Sequence, residues 1–302
     1  MEPEEAVLSV EVDGQLALFA ELPTGPPARG YRLPDLVPPP MPPLHRVRRL
    51  SYSALALFER CSYRYYAERV VGLREVRAPG GCSAEGALAA TEIGDAVHRL
   101  LEVIDLRAPD VPDLGQVRTW YPQVTDAELV RIGELVAGYC GSDTARRIAQ
   151  LEGAAAERPF AFEHDGVLLR GRLDVLWRDG PRALVLDYKT NSLAEAAPEE
   201  IVEEDYRLQR LVYALACFRA GADEVEVLYQ FVERPDAVVA ATFVRAELAE
   251  LEVELSEAIA QINRGEFVPT PSDFACSGCP ALDLVCAGPR LRQPPTLLAG
   301  AA

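Results

Sequence analysis

Lys189 is the sole lysine of the chain: of 30 lysine and arginine residues, the other 29 are arginine. It ends an apolar run as Asp187-Tyr188-Lys189-Thr190, and a second acid, Asp174, lies thirteen positions before Asp187. A chain that otherwise meets every need for positive charge with guanidinium has set one compact ammonium beside a carboxylate. Burial and neighbours can shift the protonation of an ammonium, which they cannot do to a guanidinium. Two acids and an amine within mutual reach are the groups that phosphodiester hydrolysis uses. Acids hold a divalent ion that supplies hydroxide, and a cationic donor steadies the charge that develops on phosphorus.

A hairpin would bring these groups together. Residues 167–177 and 183–189 read as strands joined through Asp179-Gly180-Pro181, residues that close tight turns. With the turn centred between Gly180 and Pro181, Arg178 pairs with Ala183, and the same register sets Asp174 opposite Asp187. Cross-strand partners have Cβ atoms about 4.5–5.5 Å apart, and Lys189 projects from the face of Asp187 because side chains alternate. Two like charges about 5 Å apart at an effective dielectric of about 20 repel by roughly 3 kcal/mol. A divalent cation removes that cost, and hard oxygen ligands select Mg2+ or Mn2+. The residues alone leave two other arrangements open: a plain ion-pair triad bridged by Lys189, or a one-residue slip that sends the acids to opposite faces. His98, in Gly94-Asp95-Ala96-Val97-His98, is one of three histidines. It sits in an apolar helical pattern, as a satisfied core residue or as a third ligand. His45, in a proline-rich stretch, and His164, beside a turn, are expected to be exposed.

Hydrophobic period locates the elements that must position these side chains. Leu55, Phe58, Ser62 and Tyr65 recur at helical spacing after Ser51 or Ser53 as N-cap, and further helices are predicted over 91–106, 125–151, 199–220 and 246–264. Residues 159–163, 167–177 and 183–189 predict a three-stranded meander, with Asp165-Gly166 at its first turn, and residues 225–232 and 238–244 predict two more strands. Helices, three strands, a helix, two strands and a helix make a mixed sheet flanked by helices. Residues 1–45 contain nine prolines between Pro23 and Pro43, a composition that favours extended polyproline structure over a core. They are expected to form an arm or linker.

At 302 residues and 49% hydrophobic composition the chain has ample material for a packed core. It contains neither a stretch long and apolar enough to span a membrane nor a secretory signal, which makes the cytoplasm the expected compartment. A net charge of −17 argues against nucleic acid at first, yet residues 29–77 carry ten Arg against four acids, a local +6, leaving about −23 elsewhere. A basic face on an acidic protein and a solvated arginine-rich helix both satisfy that pattern. Seven cysteines, an odd number, argue against a disulfide framework, and Cys276-x2-Cys279-x6-Cys286 reads as metal ligation. Cys140 and Cys217 lie in apolar helical patterns and are expected to be buried thiols. Cys82 sits in a glycine-rich stretch without an evident role.

Five motifs in order resemble the RecB-like branch of the PD-(D/E)XK nuclease superfamily, most nearly the iron-sulfur members found in AddB-type helicase-nucleases. They are Leu50-Ser51-Tyr52-Ser53 with Cys61-Ser62-Tyr63-Arg64-Tyr65-Tyr66; Gly94 to His98; Gly171-Arg172-Leu173-Asp174; Asp187-Tyr188-Lys189-Thr190; and Gln209-x3-Tyr213. The resemblance implies an α/β, restriction-endonuclease-like fold over residues 46–290, closed by a C-terminal cysteine cluster and followed by a flexible tail at 291–302. It implies that His98, Asp174, Asp187 and the Tyr188 backbone carbonyl hold Mg2+ or Mn2+, and that Lys189 orients or activates the attacking water. It further implies that Gln209, Tyr213 and Arg64 contact DNA, and that Cys61, Cys276, Cys279 and Cys286 bind a 4Fe-4S cluster. The same four thiolates would also suit Zn2+. Glu157, ahead of Pro159-Phe160, matches an acidic position of these relatives. Ser62, where a proline often follows the first cysteine, and the six-residue gap from Cys279 to Cys286 depart from the pattern.

The activity implied is a metal-dependent DNA nuclease, an exonuclease on single-stranded or unwound ends in repair or recombination. A non-cleaving iron-sulfur DNA-binding or scaffold module is the alternative, and the joint presence of His98, both aspartates and the sole lysine speaks against it. A redox or zinc-binding interaction protein would leave the acidic constellation unexplained. The chain has no Gly-x4-Gly-Lys-Ser/Thr phosphate loop, so action on duplex ends calls for a helicase partner, and otherwise the chain uses strands already single.

Overall fold

Two tight turns fold residues 155–189 into an antiparallel meander: β2 (Ala155–His164), β3 (Val167–Asp179) and β4 (Arg182–Lys189), with β1 (Arg49–Ser51) pairing elsewhere on β3. Asp165 and Gly166 both take positive φ, 49° and 73°, the backbone that a two-residue hairpin turn requires at both central positions. A computed structural model describes residues 11–12, 15–16, 46–74, 88–193, 197–276 and 278–292. The chain divides into two units, residues 1–42 and 43–302. In the first, Glu11–Val12 pairs antiparallel with Gln15–Leu16. The proline-rich stretch from Pro23 to Pro43, His45, Cys82 and the tail from residue 293 lie outside the described residues.

In the second unit, β5 (Glu224–Phe231) and β6 (Val238–Val244) complete a mixed six-stranded sheet among the described residues, in the order β1-β3-β4-β5-β6 with β2 on β3. β4 and β5 run parallel, so a crossover must join them. It consists of α5 (Pro198–Asp205) and α6 (Arg207–Arg219). The sheet separates two apolar clusters. On one face Ala183, Val185, Val225 and Val227 pack with α1 (Tyr52–Arg60), α6 and α7 (Leu248–Arg264). On the other, Leu184, Leu186 and Tyr188 pack with α2 (Ala90–Glu102), α3 (Asp126–Cys140) and α4 (Asp143–Ala149). This three-layer arrangement matches the restriction-endonuclease-like fold, and it leaves β4 buried on both faces up to its charged end.

Local chemistry explains where helices begin and break. The Thr125 hydroxyl accepts from Glu128 N while Glu128 accepts from Thr125 N at 2.9 Å, a reciprocal cap at the start of α3. The helix expected over 125–151 is interrupted at Gly141-Ser142, where the Ser142 hydroxyl accepts from Ala145 N at 3.0 Å and starts α4. The helix expected over 199–220 is interrupted at Tyr206, whose backbone leaves the helical region at φ −126°, ψ 9°. The helix expected to reach residue 106 ends at Glu102. The expectation of an exposed His164 is corrected: it is 8% exposed, its Nε2 lying 2.8 Å from Ser256 Oγ and 3.1 Å from the Glu252 carbonyl, because α7 packs over that end of the hairpin. Cys217 is buried as expected, and Cys140 only partly.

Candidate active site

The β3/β4 ladder runs from Asp179↔Arg182 through Arg178↔Ala183 to Val175↔Leu186, the register read from the turn, and then stops. Beyond it the strands part. The Tyr188 amide donates to Asp174 Oδ2 at 2.9 Å, so a side chain takes the place of a ladder bond. The cause lies in β3 itself. Leu173 belongs to one apolar cluster and Val175 to the other, although residues two apart on a regular strand share a face. Opposite, Glu157 takes φ 53° inside β2, a conformation rare for a residue with a side chain. The pair of strands rotates about its axis at Glu157 and Asp174, and the sheet opens there.

Into this opening the fold directs groups from all three layers. Asp187 and Lys189 come from β4, Asp174 from β3, Gln209 and Tyr213 from α6 and His98 from α2, lining a cavity of about 410 Å3. Asp187 Oδ1 accepts from Gln209 Nε2 at 2.9 Å and from the Tyr213 hydroxyl at 2.8 Å. Lys189 Nζ donates to Gln209 Oε1 at 2.7 Å. That Nζ also stands 2.5 Å from Asp187 Oδ2, a buried ion pair. His98 Nδ1 stands 3.6 Å from Asp174 Oδ2. Burial, then the charge of Asp187, raises the Asp174 carboxyl well above the ordinary carboxylate range. Burial lowers the His98 imidazole, against the pull of Asp187 in the other direction. A neutral imidazole keeps a nitrogen lone pair for a ligand.

Among the described residues, no three His, Cys, Asp or Glu side chains stand gathered as a finished metal cage. Asp187 is turned to Gln209, Tyr213 and Lys189, and Asp174 to the Tyr188 amide. The donor set nevertheless fits a hard divalent cation: two carboxylates held against mutual repulsion and a neutral imidazole beside them.

Residues 49–286 match the PD-(D/E)XK nuclease superfamily. The chain belongs to this superfamily. Membership implies a phosphodiester hydrolase. Over 168 residues the chain is 27% identical to an ATP-dependent helicase/nuclease subunit of Listeria monocytogenes serotype 4b (strain F2365), covering 48% of this chain and 14% of that protein. A solved candidate exonuclease from Eubacterium rectale is 15% identical with a TM-score of 0.46, covering 74% of this chain and 84% of the other.

The residues expected to contact DNA each make contacts within the protein, Gln209 and Tyr213 as part of the cavity lining. Gln209 and Tyr213 are each 2% exposed and spend their polar atoms on Asp187, Lys189 and one another, because α6 is covered nearly all round. Arg64 is engaged by Glu68 Oε1 at 2.6 Å and by the carbonyls of Ala275 and Gly278 at 2.9 and 3.3 Å. Its guanidinium anchors the cysteine segment.

All four cysteines of the expected cluster are free thiols. Cys61 Sγ accepts from Arg64 N and Thr270 N, both at 3.4 Å, and Cys286 Sγ accepts from Gly288 N at 3.4 Å. Burial raises the Cys279 thiol, and Cys61 is near enough to add to that shift. Amides are thus aimed at two of the four sulfurs, and among the described residues no three cysteines stand gathered as a metal cage. Three tyrosines around Lys189, taken up below, and the partners of Arg60 and Arg172 at the cavity rim went unread in the sequence. Arg60 pairs with Asp205 at 3.1 Å and Arg172 with Glu157 at 2.7 Å. The only signal for them was Tyr206 lying three positions before Gln209.

Proposed function

We propose that this PD-(D/E)XK chain is a Mg2+- or Mn2+-dependent deoxyribonuclease that trims single-stranded or helicase-unwound ends. The observation that carries this reading is the convergence of Asp174, Asp187, Lys189 and His98 on one cavity. His98, Asp174, Asp187 and the Tyr188 carbonyl would hold the cation. The Tyr188 amide faces the opening left by β3, while the Lys189 carbonyl accepts from Val232 N on the β5 side. Amide and carbonyl of one extended residue share an edge, which supports the Tyr188 carbonyl as a ligand. The bound cation supplies Lewis acidity and a more acidic water. Gln209 and Tyr213 fix the rotamer of Asp187, and Lys189 orients the attacking water and steadies the phosphate.

Cys61, Cys276, Cys279 and Cys286 would carry a 4Fe-4S cluster, or Zn2+ in its place, tying residue 61 to the end of a nuclease domain that spans residues 46–290. Residues 1–45 would form an arm toward a helicase partner and 291–302 a tail, in a cytoplasmic protein. The likeness to part of a helicase/nuclease protein supports such a partner. Among the described residues no helix is long and apolar enough to cross a membrane.

The test is incubation of labelled single- and double-stranded DNA with anaerobically purified protein and Mg2+ or Mn2+, beside Asp187→Ala and Lys189→Ala. Wild type is expected to degrade DNA and both variants to leave it intact; equal degradation by all three would defeat the assignment. For the cluster, absorption at roughly 400 nm, expected of iron-thiolate groups, should bleach on reduction and vanish in Cys276→Ser. A colourless protein holding one zinc would replace iron with zinc.

A further inference from the structure

The Lys189 ammonium has three N–H donors; it donates to Gln209 Oε1 at 2.7 Å and stands 2.5 Å from Asp187 Oδ2 in a buried ion pair. It is 7% exposed, so water does not complete its shell. Aromatic faces surround the remainder: Nζ lies 3.8 Å from the centroid of Tyr206, 5.1 Å from Tyr229 and 5.9 Å from Tyr52. Each is within the range, about 6 Å, over which a ring quadrupole attracts a cation. We propose that Tyr206 is the positioning residue for Lys189: its ring is a cation–π seat that fixes the ammonium beside Asp187. The consequence for catalysis rests on the nuclease reading given above.

The seat is itself held. The Tyr206 hydroxyl donates to Asn191 Oδ1 at 3.1 Å, and the ring stacks on Tyr229 at 5.7 Å and 28°. The Tyr229 hydroxyl donates to the Tyr206 carbonyl at 3.3 Å. Outside, the Arg60 guanidinium lies 5.9 Å from the same ring and pairs with Asp205, the residue before it. Tyr206 is the residue at which the crossover helix breaks between α5 and α6. Burial pushes its hydroxyl up to about 12, which leaves a neutral phenol whose face, not a phenolate oxygen, meets the ammonium. A free alkylammonium sweeps many rotamers. A buried ring under Nζ removes most of them before substrate arrives, as a group that acts on phosphate in the transition state requires.

Because Lys189 is the only lysine, biosynthetic labelling with [ε-13C]lysine gives a single side-chain resonance that belongs to it. In the full-length protein its ε-methylene protons are expected to be displaced to low frequency by the ring current, to stay displaced in Tyr206→Phe, and to relax toward the free-lysine position in Tyr206→Leu. Single-turnover cleavage should fall roughly 10- to 30-fold in Tyr206→Leu with KM unchanged, and remain near wild type in Tyr206→Phe, which keeps the face of the ring. A wild-type methylene at the free-lysine position would overturn the seat. So would a Tyr206→Leu variant that keeps the displaced resonance and full cleavage. If no protein cleaves under any condition, the hydrolytic reading falls, and the resonance still decides whether the ring holds the ammonium.

Discussion

The acidic cavity and the cysteine segment hold their side chains by different means. The cavity groups stand on long elements, β3, β4, α2 and α6, packed on both sides by the two apolar clusters, and they partner one another directly. The cysteine segment is turns around a four-residue helix, Asp273–Cys276, with positive φ at Gly278, Asp283 and Gly288. Leu284 and Val285 between its last two cysteines are 68% and 58% exposed. Its ties include Arg64 to the Ala275 and Gly278 carbonyls, the Tyr63 hydroxyl to the Val285 carbonyl, and amides to sulfur. A cavity built on ladders and helices keeps its shape from the core. A segment of turns with little apolar burial has only a few hydrogen bonds to offset the entropy of ordering it, so under the proposed function a group bound by its thiols would supply the rest.

The largest effect tests the cavity side of that contrast. Asp187→Ala and Lys189→Ala are each expected to lower DNA cleavage by on the order of 10^3-fold, while any visible absorption of the cysteine segment stays intact; gel assays and spectra on the same samples check both. Lys189→Arg keeps the charge and should still impair cleavage, since a planar fork does not fit the place of a point ammonium. For the other side, Cys276→Ser or removal of the bound group by a chelator should cost roughly 2–4 kcal/mol, the scale of a cross-link between distant residues. Calorimetry with and without chelator decides this, and an unchanged melting temperature would mean that the turns support themselves.

A smaller effect probes how the core transmits position to His98. A Cβ built on Gly94 would stand 2.7 Å from Thr190 Oγ1, so Gly94→Ala should destabilise by roughly 1–3 kcal/mol and slow cleavage by shifting α2. Thr190→Ala in the same chain should restore both, as thermal melts and rates would show.

The smallest concerns pH. Burial and Asp187 raise the Asp174 carboxyl, so above about pH 4, the ordinary carboxylate value, the folded chain retains a proton that the unfolded chain has released. Stability of cation-free protein therefore falls as pH rises through that window, by up to about 1.4 kcal/mol per unit, and the term disappears below it. Asp174→Asn should gain on wild type over the same interval, with Mg2+ reducing the difference. Melting curves from pH 4 upward check this.

Much of the scaffold was legible because its signals are local. Asp165-Gly166 and Asp179-Gly180-Pro181 declare tight turns, and the second sets the β3/β4 register as far as Val175↔Leu186, one step short of the expected pairing of Asp174 with Asp187. Breaks were harder to read. Ser142 caps a new helix inside an apolar pattern that continues through it, and β1 is three residues recognisable only by its pairing with β3. His164 read as exposed because its own neighbours are polar, whereas α7, about ninety positions later, covers it.

The sequence by itself determined the order of the elements and the β3/β4 register beside the turn, since side-chain alternation and turn geometry act over a few bonds. Only the tertiary structure decided that Gln209 and Tyr213 face inward to Asp187, that Arg64 serves the cysteine segment, and that three tyrosines enclose Lys189. Those outcomes depend on which helix packs over which strand. Packing of that kind is settled by the volume and burial of surfaces far apart in the chain, which no local spacing records.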